Sequence, residues 1–312
     1  MALISILVAA WNAAETLPHL IHSFTALHYP HKELILCVGG EDGSWALSQQ
    51  WVSETVHVVC QQPSDGKRGA LERGLAHVHG DVVFLTDADC MLNDAGVEGM
   101  IRPILHNNAQ VTTGSYHPFP EQQYNPFVMM QWAKIRQREQ HDPSETNGHL
   151  VGINTAISAN LYRHYLPQIP QDTLVEDGYL GQLLRRDGIV IHWQPHCQVA
   201  TLFHTCMRPY IRQQSRWLRG AWQISRQFGD EKLRQKTVRT ARYGFYLLLL
   251  PLLSLPLPRV GTLLTLLAWG KAAHTYTRLT EQPNWRGAIH LLVADVFVWT
   301  RALTLDRWRG DW

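Results

Sequence analysis

The sequence is short of charge, short of cysteine, and lacks the fingerprint of a nicotinamide enzyme. Charged residues make up 17% of its 312 residues, below the ordinary globular share of about 25%. A chain this poor in charge has extra apolar surface to bury. Its formal net charge is +2, so bulk charge names no partner, and nucleic acid is not expected to be one. The five cysteines (Cys37, Cys60, Cys90, Cys197 and Cys206) are scattered and odd in number, with no C-x-x-C pair. That excludes a disulfide framework or a zinc knuckle and points to a reducing compartment. Met1-Ala-Leu-Ile runs straight into a strand, with no basic n-region and no small-residue cleavage site. No signal peptide is therefore expected, and the catalytic part should be cytosolic. No G-x-G-x-x-G follows a strand, which argues against a Rossmann dehydrogenase. There is no internal repeat and no low-complexity tract. The length suits one large domain, or one and a half.

What the chain does have is alternation. Leu3 to Ala9 is a continuous apolar run of the kind found in buried parallel strands. Ala14 to Phe24 reads as a helix, Glu33 to Val38 as a strand and Val56 to Val59 as a third strand. Gly66-Lys67-Arg68-Gly69 leads into a helix, and Val82 to Leu85 is a further buried strand. Strands and helices alternating at this size predict an α/β fold: a mostly parallel sheet with helices on both faces. Later elements include strands at Ala109–Gly114, Val151–Ala159 and Ile189–Trp193, and helices at Phe127–Gln140, Gly178–Leu184 and Tyr210–Phe228. Residues 142–148 read as a loop.

The chain is organised around Asp81-Val-Val-Phe-Leu-Thr-Asp-Ala-Asp89. Two carboxylates, Asp87 and Asp89, stand one residue apart at the carboxyl end of a strand, where open α/β sheets bind ligands. Such a pair can hold a hard divalent cation, which can clamp a diphosphate. The same tripeptide can also be a plain Asx turn.

Other stretches offer complementary chemistry. Glu41-Asp42 lies in the loop after the second strand and could accept hydrogen bonds from a nucleobase or ribose. Lys67, in a Gly-flanked loop opening a helix, suits a phosphate. Glu176-Asp177 could supply a general base, or be only an acidic helix start favoured by the dipole. Gln213, Arg216 and Trp217 fall at i, i+3 and i+4, on one helix face, and combine an amide, a planar cation and an aromatic platform. His192, His196 and His204 bracket a proline and expected strands, so they read as structural or surface histidines rather than ligands.

Beyond residue 230 the composition shifts. Arg226, Lys232, Arg234, Lys236, Arg239 and Arg242 form a basic lead-in to an apolar stretch from Tyr243 to Trp269. That stretch is long enough for a bilayer core of about 30 Å, but Pro256-Leu-Pro258-Arg259 interrupts it. Two short re-entrant or interfacial helices fit as well as one span. Ala288 to Leu305 carries Asp295 and Arg301 and looks interfacial. Trp269, Trp285, Trp299, Trp308 and Trp312 suit a headgroup belt, and the basic lead-in favours a cytoplasmic leaflet. A helical subdomain packed on the sheet is the other reading.

In order, Trp11-Asn12, Glu41-Asp42-Gly43-Ser44, Gly66-Lys67, Asp87-Ala88-Asp89, Glu176-Asp177 and Gln213-x-x-Arg216-Trp217 resemble the family 2 glycosyltransferases of GT-A fold. The last motif is similar to the Q-x-x-R-W signature of the membrane-associated branch, with ceramide glucosyltransferase-like members nearest. The resemblance covers about residues 1 to 230. It implies a catalytic domain over 1–230, and the composition beyond it gives a membrane-embedded or interfacial helical region over 231–312. It implies that Glu41 contacts the nucleobase, that Lys67, Asp87 and Arg216 hold the donor, and that Asp89 binds Mg²⁺ or Mn²⁺. It also implies that Asp177 is the base and that Glu176, Gln213 and Trp217 serve the acceptor side. The reaction would be a metal-dependent, inverting, single transfer from a nucleotide-sugar, expected to be a UDP-sugar, to a lipid or saccharide acceptor. It would take place at the cytoplasmic face of the inner membrane. A processive polysaccharide synthase subunit fits less well, because the C-terminal apolar part is short. A nucleotidyltransferase would want a Gly-rich, Arg-containing loop where Ala9-Ala-Trp-Asn-Ala-Ala stands. An inactive membrane scaffold would not need Asp87, Asp89, Asp177 and Arg216 intact.

Overall fold

The structure, a computed structural model, describes residues 2–139, 145–146, 149–280 and 284–304. Most of the expected 142–148 loop lies outside the described residues, as do Trp308 and Trp312 of the expected aromatic belt. The alternation read from the sequence is present in β1 (Ile4–Trp11), α1 (Leu17–Ala26), β2 (Lys32–Gly39), α2 (Ser44–Ser48), β3 (Val56–Cys60), α3 (Gly66–Leu75) and β4 (Val82–Asp87). Next come β5 (Cys90–Met91), α4 (Asp94–Leu105), β6 (Val111–Pro118), α5 (Pro126–Glu139), β7 (Glu145–Thr146), β8 (Thr155–Ser158), α6 (Ala159–Tyr165), α7 (Glu176–Arg186) and β9 (Ile191–Thr201). The remaining helices are α8 (Met207–Gln227), α9 (Glu231–Leu249), α10 (Pro258–Thr277) and α11 (Trp285–Thr304). Two compact units result. One is Met1–His117 with Asp142–Leu202, and the other is Pro118–His141 with Phe203–Asp311.

The first unit is built on a sheet of order β3-β2-β1-β4-β8-β6-β9-β5, with β7 also paired to β9. Pairs β1·β2, β1·β4 and β2·β3 are parallel. Pairs β4·β8, β6·β8, β5·β9 and β7·β9 are antiparallel. The mostly parallel sheet expected from the sequence is therefore corrected to a mixed one. Hydrophobic periodicity reports burial but not strand direction. Direction is set by the connection, and only the first four strands are joined by short helical crossovers.

Strand alternation divides the core between two faces. Ile4, Ile6 and Val8 of β1 pack with Leu17, Leu20 and Phe24 of α1 and with Val97, Met100 and Ile101 of α4. On the other face α3 comes very close: a Cβ on Gly74 would sit 2.5 Å from Cys37 Sγ and from Leu7 Cδ1. Glycine is required there by contact rather than by backbone angle.

The second unit is helical. Phe127 and Met130 of α5, Tyr210 of α8, and Ala288, Leu291, Ala294 and Val298 of α11 form one cluster. Leu247 of α9, Ala272 of α10, and Leu292 and Val296 of α11 form another. Helix α11 thus lies in the middle and is apolar on more than one side. The prolines act as expected. Helix α9 ends at Leu249, a tight turn covers Leu250–Ser254, and Pro258 opens α10 as its first residue. Among the described residues no helix is long and apolar enough to cross a membrane. Asp230 caps α9, its carboxylate accepting from Leu233 N–H at 2.9 Å.

Asp295 corrects a second expectation. Its sequence context predicts an interfacial position, yet it is 1% exposed. Its carboxylate pairs with Lys134, accepts from Tyr210 Oη at 2.7 Å and accepts from Tyr276 Oη. A single carboxylate thereby joins α5, α8, α10 and α11. Removing one partner of such a buried pair leaves the other charge uncompensated. Asp295→Ala is expected to lower stability by about 3 kcal/mol, read as a reduced chemical-denaturation midpoint. Little change in the midpoint would show that the network contributes no net stability.

Candidate active site

Two loops at the carboxyl ends of β1 and β2 are clasped together. Asn12 takes a left-handed conformation, φ 50°, which asparagine tolerates better than most residues. Its Oδ1 accepts from Glu41 N–H at 2.8 Å, and its own N–H donates to Gly39 O at 3.1 Å. Asp42 accepts from Ala14 N–H at 2.9 Å and from Ser44 N–H at 3.0 Å. Ser44 Oγ in turn accepts from Ala13 N–H at 2.8 Å. Asp42 is thus committed to holding the loops, whereas Glu41 is exposed at their tip.

The acidic residues after β4 and at the start of α7 meet around Lys67. Asp87 is the last residue of β4. Lys67 stands in the first turn of α3, just after Gly66 at φ 57°. A helix N-terminus does not favour a cation, so the lysine is held by its partners. Its Nζ lies 2.7 Å from Asp87 Oδ1 and 2.8 Å from Glu176 Oε1. Burial pushes its ammonium down, but the charges of Asp87, Glu176 and Asp177 outweigh that and hold it well above the usual lysine range.

Glu176 and Asp177 open α7, where the helix dipole favours negative charge. Asp177 Oδ1 accepts from Gly178 N–H at 2.7 Å, and Oδ2 accepts from Gly152 N–H at 3.1 Å. Gly152 is required by close approach, since a Cβ there would lie 2.8 Å from Asp177 Oδ2. Burial, and then the neighbouring Glu176 charge, push the Asp177 carboxyl up to about 6, against the pull of Lys67. Asp89 is pushed up to about 7, first by burial and then by the Asp87 charge. Its main chain is fixed because Leu202 N–H donates to Asp89 O at 3.1 Å.

Burial and the neighbouring Asp87 charge thus make a charged Asp89 costly unless a further cation joins them. Their donor set is all oxygen, which suits Mg²⁺ or Mn²⁺. The residues present fit such an ion.

A cleft opens on this cluster, lined by Lys67, Leu71, Leu85, Thr86, Gly152, Tyr162, Ile169, Glu176, Asp177 and Leu180. It combines an apolar wall with convergent charges, the usual make-up of a ligand site. Five residues singled out in the sequence, Lys67, Asp87, Asp89, Glu176 and Asp177, belong to this unit and cluster at the carboxyl ends of its strands. Glu41 is in the same unit, on the loop clasp. Gln213, Arg216 and Trp217 belong to the helical unit, all on α8, with Gln213 and Arg216 half-buried and Trp217 exposed. Thr86, Gly152 and Tyr162 were not anticipated. Thr86 had a signal, being next to Asp87 on a strand end. Gly152 had none, because its role depends on a contact across 25 residues.

The family model for Glycosyl transferase family 2 matches residues 5–166. The chain belongs to that family and is a glycosyltransferase. Solved structures are similar to it at low identity. The mannosyltransferase PcManGT from Pyrobaculum calidifontis, in complex with GDP-Man and Mn²⁺, is 16% identical with a TM-score of 0.63, over 97% of this chain and 87% of that one. The mannosyl-3-phosphoglycerate synthase from Rubrobacter xylanophilus is 18% identical with a TM-score of 0.51, over 73% and 75%. These likenesses establish a GT-A-like fold. Among curated proteins none matches the sequence closely enough to count as a relative.

Gly152→Ala tests the tight seat of Asp177. The added methyl forces the carboxylate to move, and sugar transfer should fall roughly 10- to 100-fold with the thermal midpoint little changed. Full activity in the variant would mean that the seat has slack.

Proposed function

We propose that this glycosyltransferase moves one sugar, with inversion, from a nucleotide-diphosphate donor to a hydroxyl of a lipid or other membrane-proximal acceptor. The reading is carried by the lysine-centred cluster, which puts a candidate base and a candidate metal pair around one cation. Asp177 is the base. An acceptor hydroxyl in the cleft gives its proton to the Asp177 carboxylate as its oxygen bonds to the anomeric carbon. Meanwhile the bond from that carbon to the diphosphate breaks, and the nucleoside diphosphate leaves with the electron pair. The two N–H groups from Gly152 and Gly178 fix the aim of that carboxylate. Glu176 keeps Lys67 in place and lies on the acceptor side. Lys67 and Asp87 hold the donor, and Glu41 contacts its nucleobase. Asp87 and Asp89 would hold Mg²⁺ or Mn²⁺, whose chemistry is to neutralise charge on the departing diphosphate. Gln213, Arg216 and Trp217 are assigned by their motif to the diphosphate and the acceptor. The donor is a UDP-sugar. A GDP-sugar is the second reading, favoured by likeness to a structure holding GDP-Man.

A membrane acceptor is supported by the surface of the helical unit. Leu252, Leu255, Leu257, Leu263, Leu266 and Leu267 are each more than half exposed. Isolated exposed leucines need no explanation, but a run this dense does. Arg234, Lys236, Arg239 and Arg242 are exposed on the preceding helix. Apolar and basic groups together suit an anionic bilayer surface, here the cytoplasmic face of the inner membrane.

Transfer should be measured with a panel of UDP- and GDP-sugars and extracted lipid, with and without Mn²⁺. Asp177→Asn should abolish product while donor binding persists, and an active variant would remove Asp177 as the base. The pH profile gives a second check. The base is the ionised form, so the rate should fall as pH drops through about 6. A rate unchanged well below that pH would exclude this carboxylate.

Membrane docking has its own measurement. Leu255→Asp with Leu263→Asp should weaken co-sedimentation with anionic vesicles roughly tenfold or more. Undiminished binding would exclude the leucine run as the docking surface.

A further inference from the structure

At the other ends of the same parallel strands, three side chains from separate elements converge. Glu33 is the second residue of β2 and His57 the second of β3, while His79 lies three residues before β4. Their ligand atoms all lie within 4.8 Å of one another, and among the described residues they are the one such group of three or more His, Cys, Asp or Glu side chains. Along β4 this edge is roughly 16 Å from Asp87 at the 3.3 Å rise of a strand. The cluster is therefore separate from the cleft.

We propose that Glu33, His57 and His79 bind a transition-metal cation of the Zn²⁺ type. Glu33 is held as a ligand should be. Its carboxylate is 7% exposed. Oε1 accepts from Ser5 Oγ at 2.5 Å and from His79 N–H at 2.8 Å, and Ser5 Oγ also accepts from Gly80 N–H at 2.9 Å. These contacts fix the carboxylate, as outer-sphere groups do at metal sites. Oε2 is left facing the imidazoles, 3.0 Å from His79 Nδ1 and 3.6 Å from His57 Nε2. Zinc bonds of about 2.0–2.1 Å set tetrahedral ligand–ligand edges near 3.3 Å, between those two separations. His57 and His79 are 35% and 65% exposed, so water can complete the coordination.

The donor chemistry separates this site from the catalytic one. Two imidazoles and a carboxylate favour Zn²⁺, whereas the all-oxygen pair Asp87 and Asp89 favours Mg²⁺ or Mn²⁺. A bound ion would tie β2, β3 and the turn before β4 at the edge away from the reaction.

The test uses untagged full-length protein, stripped of metal, in a Cys60→Ser, Cys206→Ser background. Both thiols are exposed and could bind zinc themselves. Zn²⁺ uptake is measured by equilibrium dialysis and elemental analysis, and the Co²⁺ absorption spectrum reports coordination. The background protein and its Asp89→Asn derivative should each take up one equivalent, with a tetrahedral Co²⁺ spectrum and a raised Tm. His57→Ala and His79→Ala should each weaken uptake at least about tenfold and abolish the Tm rise. Circular dichroism would confirm that both remain folded. Uptake unchanged in the His57→Ala, His79→Ala double variant, or no uptake by the background protein, would overturn the site. The three residues would then be joined by hydrogen bonds alone.

Discussion

The active site depends on one ammonium group. Asp87, Asp89, Glu176 and Asp177 are drawn together at one end of the sheet, and like charges at such short range repel strongly in a partly dry cleft. Lys67 lies within salt-bridge distance of two of them and acts on the others through the field. It joins two distant parts of the chain, because Asp87 ends a parallel strand and Glu176 opens a helix 89 residues later. The lysine does not neutralise everything. Asp89 and Asp177 remain raised towards neutrality, the perturbation that marks both as candidates for the chemistry proposed above.

Much of this was legible in the sequence. The order of acidic motifs along an alternating β/α pattern placed Lys67, Asp87, Asp89, Glu176 and Asp177 in one family and one chemistry. Their chemistry depends on residue type at strand and helix ends, which periodicity locates well. Strand direction was not legible, because β8 and β6 look like any buried strand until their partners are known. The role of Gly152 was hidden for a similar reason, since contact with Asp177 is a property of the assembled chain. Asp295 misled because an acidic residue in an apolar helix carries the same signature whether it meets a headgroup or a lysine of a neighbouring helix. The Glu33 cluster was also invisible, as its members are 22 to 46 residues apart and match no ligand spacing.

The helical unit combines two opposite surfaces. Inside, α11 is gripped from several sides and ties the unit together through Asp295. Outside, α10 and the turn before it carry leucines that no described partner covers. One ionic knot ties four helices together, so the leucines on the outside are not needed to hold the unit's core.

The mixed sheet also bears on how the molecule is made. Strands β1 to β4 pair through short, sequence-local crossovers, so this half can take shape from the first 90 or so residues. Strands β6 to β9 and α7 come later in the chain. A nascent chain paused before Glu176 could already bring Lys67 to Asp87, yet it would have neither the second carboxylate partner nor Asp177. Synthesis itself therefore withholds the second partner of Lys67 until α7 has been made.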